Sequence, residues 1–205
     1  MDIATPPDPT RISPQVRLGR LDAELAALVG LLAGNGLSLV VAAPATSRAA
    51  AVELLAALDP DRSPVDLDAL GEGNRALLRA ASLGAGFAGT IESASLDDVF
   101  ERLRQAAGLT DDELSYLGVV VVLDAAGQVD IAHHVRPIAL DANGHVQKLG
   151  PAVLAARDRS TRRLEHFAWG IVPELASRIS WKAGDLEAEI DRRRDSVAHA
   201  SGHPS

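Results

Sequence analysis

The sequence predicts an α/β fold: a trimmed parallel sheet core covered by helices, followed by an antiparallel β extension. Three observations carry this. Aliphatic runs at 37–43, 87–91 and 119–123 are short and bounded by glycine, proline or polar turns, as buried strands are. Helical periodicities separate them, which is the pattern of α/β layers. Beyond residue 124 the helices give way to turn-separated strands that can pair back on the sheet.

Residues 1–19 are rich in proline and poor in pattern, and read as a flexible arm. The folded domain spans 20–182. Leu21, Leu25, Leu28, Val29 and Leu32 recur at helical spacing and predict an amphipathic helix. Gly34-Asn35-Gly36 ends it, since glycine tolerates the left-handed turn after a helix. The strand 37–43 follows. Pro44-Ala45-Thr46-Ser47 then turns the chain into a helix over 47–58, with Thr46 or Ser47 as N-cap and with Ala51, Leu54, Leu55 and Leu58 facing inward. Residues 59–64 read as a loop.

The spacing predicts a further helix over 75–83, a glycine turn at Gly84 and Gly86, and the strand 87–91. Ser95 caps a helix to about residue 107, and 111–117 is a short helix. Residues 119–123 are the strongest strand signal. The Ala126-Gly127 turn returns 129–138 as its antiparallel partner, Asn143-Gly144 marks another hairpin before Val146, and the run of hairpins carries the antiparallel extension to about Leu154. Residues 183–205 read as a charged helix and tail, polar on most faces.

Composition excludes several classes of function. The chain has 205 residues, 47% of them hydrophobic and 23% charged, enough for one sizeable core. Net charge is −8 and basic residues are scattered, which argues against a nucleic-acid grip. Aromatics are only 3%, too few for base-stacking platforms. The absence of cysteine removes disulfides, thiolate metal sites and cysteine nucleophiles. No stretch approaches ~18 consecutive apolar residues, so no membrane span is expected. The first residues lack the apolar core of a secretory signal, and the expected compartment is the cytoplasm. His133 and His134 are adjacent on a predicted strand, so they point to opposite faces and do not chelate one ion together.

Several blocks taken together resemble one family. The helix, the glycine turn, the strand LSLVVAA and the Pro44 turn into a helix form the frame of a phosphate-binding loop. Leu70-Gly71-Glu72, then RALLRAASLGAGFAGTIESASLDDVFERL, then the strand and turn over 117–135, then HFAWGIVPELASRI (166–179) follow in order. Over residues 21–180 this order resembles type II/type IV secretion-system motor ATPases, the branch that drives Flp/Tad pili and the archaellum. The resemblance implies a P-loop NTPase-like (RecA-type) core, ATP with magnesium as cofactor, and assembly into rings.

Its catalytic positions depart from the family pattern. A phosphate loop reads G-x-x-x-x-G-K-[ST], with glycines for close approach, lysine for the terminal phosphates and a hydroxyl for magnesium. Over residues 43–50, Ala43 and Arg48 stand at the glycines, Ala49 at the lysine and Ala50 at the hydroxyl. A slide by one residue puts Arg48 at the lysine position, where its planar fork is a poor substitute for an ammonium. Gly84-Ala85-Gly86-Phe87 and Glu92 replace the family's two histidine segments. Thr46, Ser47 and Arg48 are therefore the residual nucleotide-binding candidates, and Glu72 the one retained carboxylate. The expectation is a catalytically degenerate relative with no ATP cofactor, acting as an accessory or regulatory subunit on a motor ATPase or a pilus or secretion platform. The alternatives are residual ATP binding and hydrolysis through a non-standard loop, and a self-associating structural domain. Arg136 is a candidate intersubunit arginine or a surface ion pair. Phe167 and Trp169 are candidate interface anchors in a homo- or hetero-oligomer, or side chains that close the core.

Overall fold

The structure, a computed structural model, describes residues 9–69, 73–82, 85–140 and 143–202. Element order is α1 (Pro9–Arg17), α2 (Ala23–Gly34), β1 (Leu39–Ala43), α3 (Arg48–Leu58), β2 (Val65–Asp66), α4 (Gly73–Ser82), β3 (Ala88–Glu92), α5 (Leu96–Ala107), α6 (Asp111–Leu114) and β4 (Val119–Leu123). There follow β5 (Val129–His134), β6 (Ala139–Leu140), β7 (Val146–Gln147), β8 (Ala152–Arg157), β9 (Leu164–His166), α7 (Val172–Arg178) and α8 (Ala183–Ala200).

Among the described residues one mixed sheet of seven strands runs in the order β2-β3-β1-β4-β5-β8-β9. The first four are parallel and the last three antiparallel, as the change of texture near residue 124 predicts. In β1, Leu39 lies level with Ala88 of β3 and Val119 of β4. All five residues of β1 and of β4 are buried, because both faces of the sheet are covered. Leu39, Val41 and Ala43 join Val119, Val121 and Leu123 in a core shared with α1, α2, α3, α7 and α8. Val40, Ala42, Val120 and Val122 face the other way, against Val99 and Leu103 of α5 and Leu114 of α6. The result is three layers.

Three expectations are corrected. The arm begins its structure early: α1 buries Ile12 and packs on α8 and α3. Pro9 opens this helix, where its missing N–H is no loss. Pro14 cannot donate within the helix, and the Ser13 hydroxyl donates to Thr10 O instead, at 3.2 Å. Helix α2 is not amphipathic; every residue from Leu25 to Ala33 is buried, because the sheet and α8 enclose it. Helix α8 is not solvated all round: Leu186, Ile190, Arg193 and Val197, spaced by three or four, form a buried stripe. Strands β2 and β9 lie where no strand was predicted, and β8 carries the antiparallel extension past its expected end near Leu154.

The caps follow local chemistry. Asp22 Oδ1 accepts from Leu25 N at the start of α2, and Ser95 Oγ from Asp98 N at the start of α5. Thr110 and Glu113 form a reciprocal capping box on α6. No helix among the described residues is long and apolar enough to cross a membrane.

Candidate functional site

In open α/β sheets, ligands sit beyond the carboxyl ends of the parallel strands. Here that edge is built by Pro44 to Arg48 after β1, by Asp66 and Asp68 at the end of β2, by Glu92 at the end of β3, and by Asp124 after β4. Pro44 is extended, and Ala45–Ser47 make a single 3-10 turn that runs straight into α3. No residue from 43 to 50 has a positive φ, so the backbone does not wrap as a glycine-rich phosphate loop does.

Thr46 is exposed and Ser47 is buried. Ser47 stands at the N-cap position, yet its hydroxyl makes no cap hydrogen bond. It donates instead to Asp124 O, at 2.8 Å, tying the turn to the end of β4. The expectation that Thr46 or Ser47 caps α3 through its side chain is thus corrected, because a better-placed carbonyl lies across the sheet edge. The Asp124 carboxylate accepts from Ala126 N and Gln128 N, both at 2.9 Å, and shapes the turn before β5. Gly127 in that turn has φ +75°, and a Cβ there would lie 2.8 Å from Ala50 Cβ. The β4–β5 turn therefore presses directly on the first turn of α3.

Arg48 opens α3 and is held by the neighbouring strand ends. Its Nη2 lies 2.7 Å from Asp66 Oδ1 and its Nη1 2.9 Å from Asp68 Oδ2, with Glu92 Oε2 at 3.9 Å. Asp68 Oδ2 also accepts from Glu92 N at 2.8 Å. Arg102 stands 3.9 Å from Asp68 Oδ1 and 3.1 Å from Asp98 Oδ2. Four carboxylates thus surround two guanidinium groups, and the edge is net negative. A triphosphate here would have to strip Arg48 from two carboxylates and settle beside uncompensated acids. The residues present do not fit a magnesium–nucleoside triphosphate. Each pair is partly exposed and on its own worth about 0–1 kcal/mol, but together they fasten α3 to β2 and β3.

Glu72, the retained carboxylate, lies outside the described residues. Glu92 is at the site, and only as an outer neighbour of Arg48. Asp66, Asp68 and Asp124 were missed by sequence reasoning. The Asp-Leu-Asp triplet at 66–68 carries the only local signal: alternating acids straddling an apolar residue, as on a strand end with one buried face.

The interface candidates lie elsewhere. Arg136 follows β5, which runs against β4, so it sits at the opposite sheet edge from Arg48. Its Nε donates to both carboxylate oxygens of Glu174 on α7, at 2.9 and 3.0 Å. Of its two readings the structure supports the intrachain ion pair. The guanidinium thus spans two elements of its own chain.

Phe167 and Trp169 are 49% and 43% exposed, so neither closes the core. The Trp169 indole N–H donates to Glu24 Oε1 at 2.9 Å, which holds the ring at the surface. His166 next to them lies 2.8 Å from Asp22 Oδ2 and 3.6 Å from Glu24 Oε1. Burial disfavours its charge, but the hydrogen bond and charge of Asp22, with Glu24, prevail and raise its pKa.

His133 and His134 do take opposite faces. His133 feels Asp97 of α5, and His134 lies 3.4 Å from Glu174 of α7. Among the described residues no group of three or more His, Cys, Asp or Glu side chains is placed to hold a metal ion. Neither protein-family models nor curated proteins give a match to this chain.

Proposed function

We propose that this chain is a non-catalytic relative of the secretion and pilus motor ATPases, acting in the cytoplasm as an accessory or regulatory subunit that docks on a motor or its platform. The observation that carries the reading is the state of the phosphate-loop position. Arg48 is engaged by Asp66 and Asp68, Ser47 is tied to Asp124, and Gly127 packs on Ala50. Side chains of the protein itself thus occupy the place where the resemblance calls for nucleotide.

What remains for function is surface. Phe167 and Trp169 expose two of the few aromatic rings of the chain, one just before and one on the short 3-10 turn Ala168–Ile171, with Trp169 held to Glu24 in the first turn of α2. Aromatic side chains anchor protein interfaces disproportionately, and truncating such an anchor costs about 2 kcal/mol or more of binding.

Sedimentation velocity of the chain alone, and mixed with a complete motor ATPase of the resembled family, tests this reading. Association with the motor that is lost in Trp169→Ala, at unchanged melting temperature, is the expected result. A chain that only self-associates favours the structural-domain alternative. A chain that stays monomeric with and without the motor refutes docking.

A further inference from the structure

The β8–β9 hairpin gathers positive charge in an acidic chain. Arg157, Arg159, Arg162 and Arg163 fall within residues 157–163, against a net charge of −8 for the whole sequence. The one acid among them, Asp158, is committed to the turn: its Oδ1 accepts from Ser160 N at 2.8 Å and from Ser160 Oγ and Thr161 N at 2.6 Å. Arg157 braces the hairpin, its Nε donating to Val129 O and its Nη1 to Arg162 O, both at 2.7 Å. Arg162 and Arg163 are exposed. The Arg162 side chain donates to Gln128 Oε1 at 3.0 Å and lies 3.9 Å from Asp124 Oδ2. The Arg163 side chain has no hydrogen-bond or ion-pair partner among the described residues.

An open cleft of about 450 Å³ lies between this hairpin and the chain that links α1 to α2. Small-molecule sites span about 300–1,000 Å³. Arg157, Arg162 and Arg163 line it with a single carboxylate, Asp22, which His166 already holds at 2.8 Å. The rest of the lining is apolar or glycine, chiefly Val16, Leu21 and Leu164. The lining side chains thus set a net charge of +2 over an apolar floor.

The backbone adds an independent sign. Arg162 has φ +59°, a left-handed conformation that glycine adopts freely and that a residue with a Cβ adopts at a cost. Successive side chains of an extended strand point to opposite faces. The left-handed residue breaks that alternation, and Arg162 and Arg163 line the same cleft. Strain of this kind clusters at ligand sites, where it places a side chain that a relaxed turn would not.

We infer that this cleft binds a small organic phosphate monoester, its phosphate on the Arg162 and Arg163 guanidinium groups and its organic group on Val16, Leu21 and Leu164. Two uncompensated positive charges select a dianion over a monoanion. The guanidinium fork matches phosphate oxygens. The apolar floor selects an ester over inorganic phosphate.

Binding here needs no motor or platform, so the full chain alone is the sample. The probe is phenyl phosphate, titrated by calorimetry at low salt and pH 8, where the ester is a dianion. Saturable binding with Kd of ~1 mM or tighter is expected, with benzenesulfonate, a monoanion of similar shape, at least about tenfold weaker. Arg163→Gln removes a charge that no other side chain of the fold uses, and should weaken phenyl phosphate about tenfold at unchanged Tm. Arg162→Gly relieves the left-handed backbone, and should weaken binding by a similar factor without lowering Tm. No saturation at ~10 mM phenyl phosphate overturns the inference. So does equal binding of phosphate and sulfonate, or parent-like binding by either arginine variant.

Discussion

Acid should unfold this protein partly through one imidazole. His134 is fully buried in β5, and neither ring nitrogen has a hydrogen-bond partner. Burial, reinforced by the nearby charges of Arg178 and Arg136 and only partly offset by Glu174 and the Gly118 backbone, lowers its pKa from 6.5 to about 4. The unfolded chain therefore binds a proton that the folded chain refuses between those two values. Stability from this group is complete above about pH 6.5 and is lost as pH falls toward 4. At about 1.36 kcal/mol per pH unit the full loss is about 3 kcal/mol, and about 2 kcal/mol of it falls between pH 7 and 4.5. His134→Leu removes the titrating group and leaves no polar atom to satisfy. Urea unfolding of both proteins at pH 7 and pH 4.5 isolates the effect, since the carboxylates titrate in both. The variant should lose about 2 kcal/mol less than the parent on acidification. Equal losses would refute the assignment of His134 as a buried neutral imidazole.

Two further perturbations probe the two sheet edges. Gly127→Ala places a methyl against Ala50 at a left-handed backbone position, and should destabilise the chain by roughly 2 kcal/mol in chemical denaturation. Arg136→Ala should lower stability by about 1–2 kcal/mol, because Glu174 loses a two-pronged partner, and should leave the mass in solution unchanged. A drop in oligomer size without loss of stability would instead assign Arg136 the intersubunit role.

The strands legible from sequence were those with an unmistakable chemistry. β1, β3 and β4 are aliphatic runs with sharp boundaries, and Gly127 announced the return into β5. β8 was only partly legible, as the end of the antiparallel extension, because Ala-Val-Leu-Ala-Ala-Arg suits a helix as well as a strand, and pairing with β5 decides the matter. β9 and β2 are too short to carry a period. α8 misled because charges dominate it by count. Its spacing from Leu186 through Ile190 and Arg193 to Val197 marks the inner stripe, and with it the buried arginine. At the strand ends Ser47 and Arg48 stood out in the sequence, but their partners did not. Asp66 and Asp68 follow a segment that reads as a loop, and Asp124 is 77 residues from Ser47. Such contacts follow from strand order, with β3 beside β1 and β2 beside β3, which local patterns do not encode.

At the end of β1, Arg48 and Ser47 are engaged by Asp66, Asp68 and Asp124, where a nucleotide would otherwise sit. Isothermal titration of magnesium–ATP into the purified protein tests this most directly. With Arg48 held by Asp66 and Asp68 and with no lysine or glycine cradle, ATP should bind no tighter than ~1 mM, about −4 kcal/mol. Saturable binding with a micromolar Kd would contradict it, and would return the chain to the nucleotide-dependent enzymes.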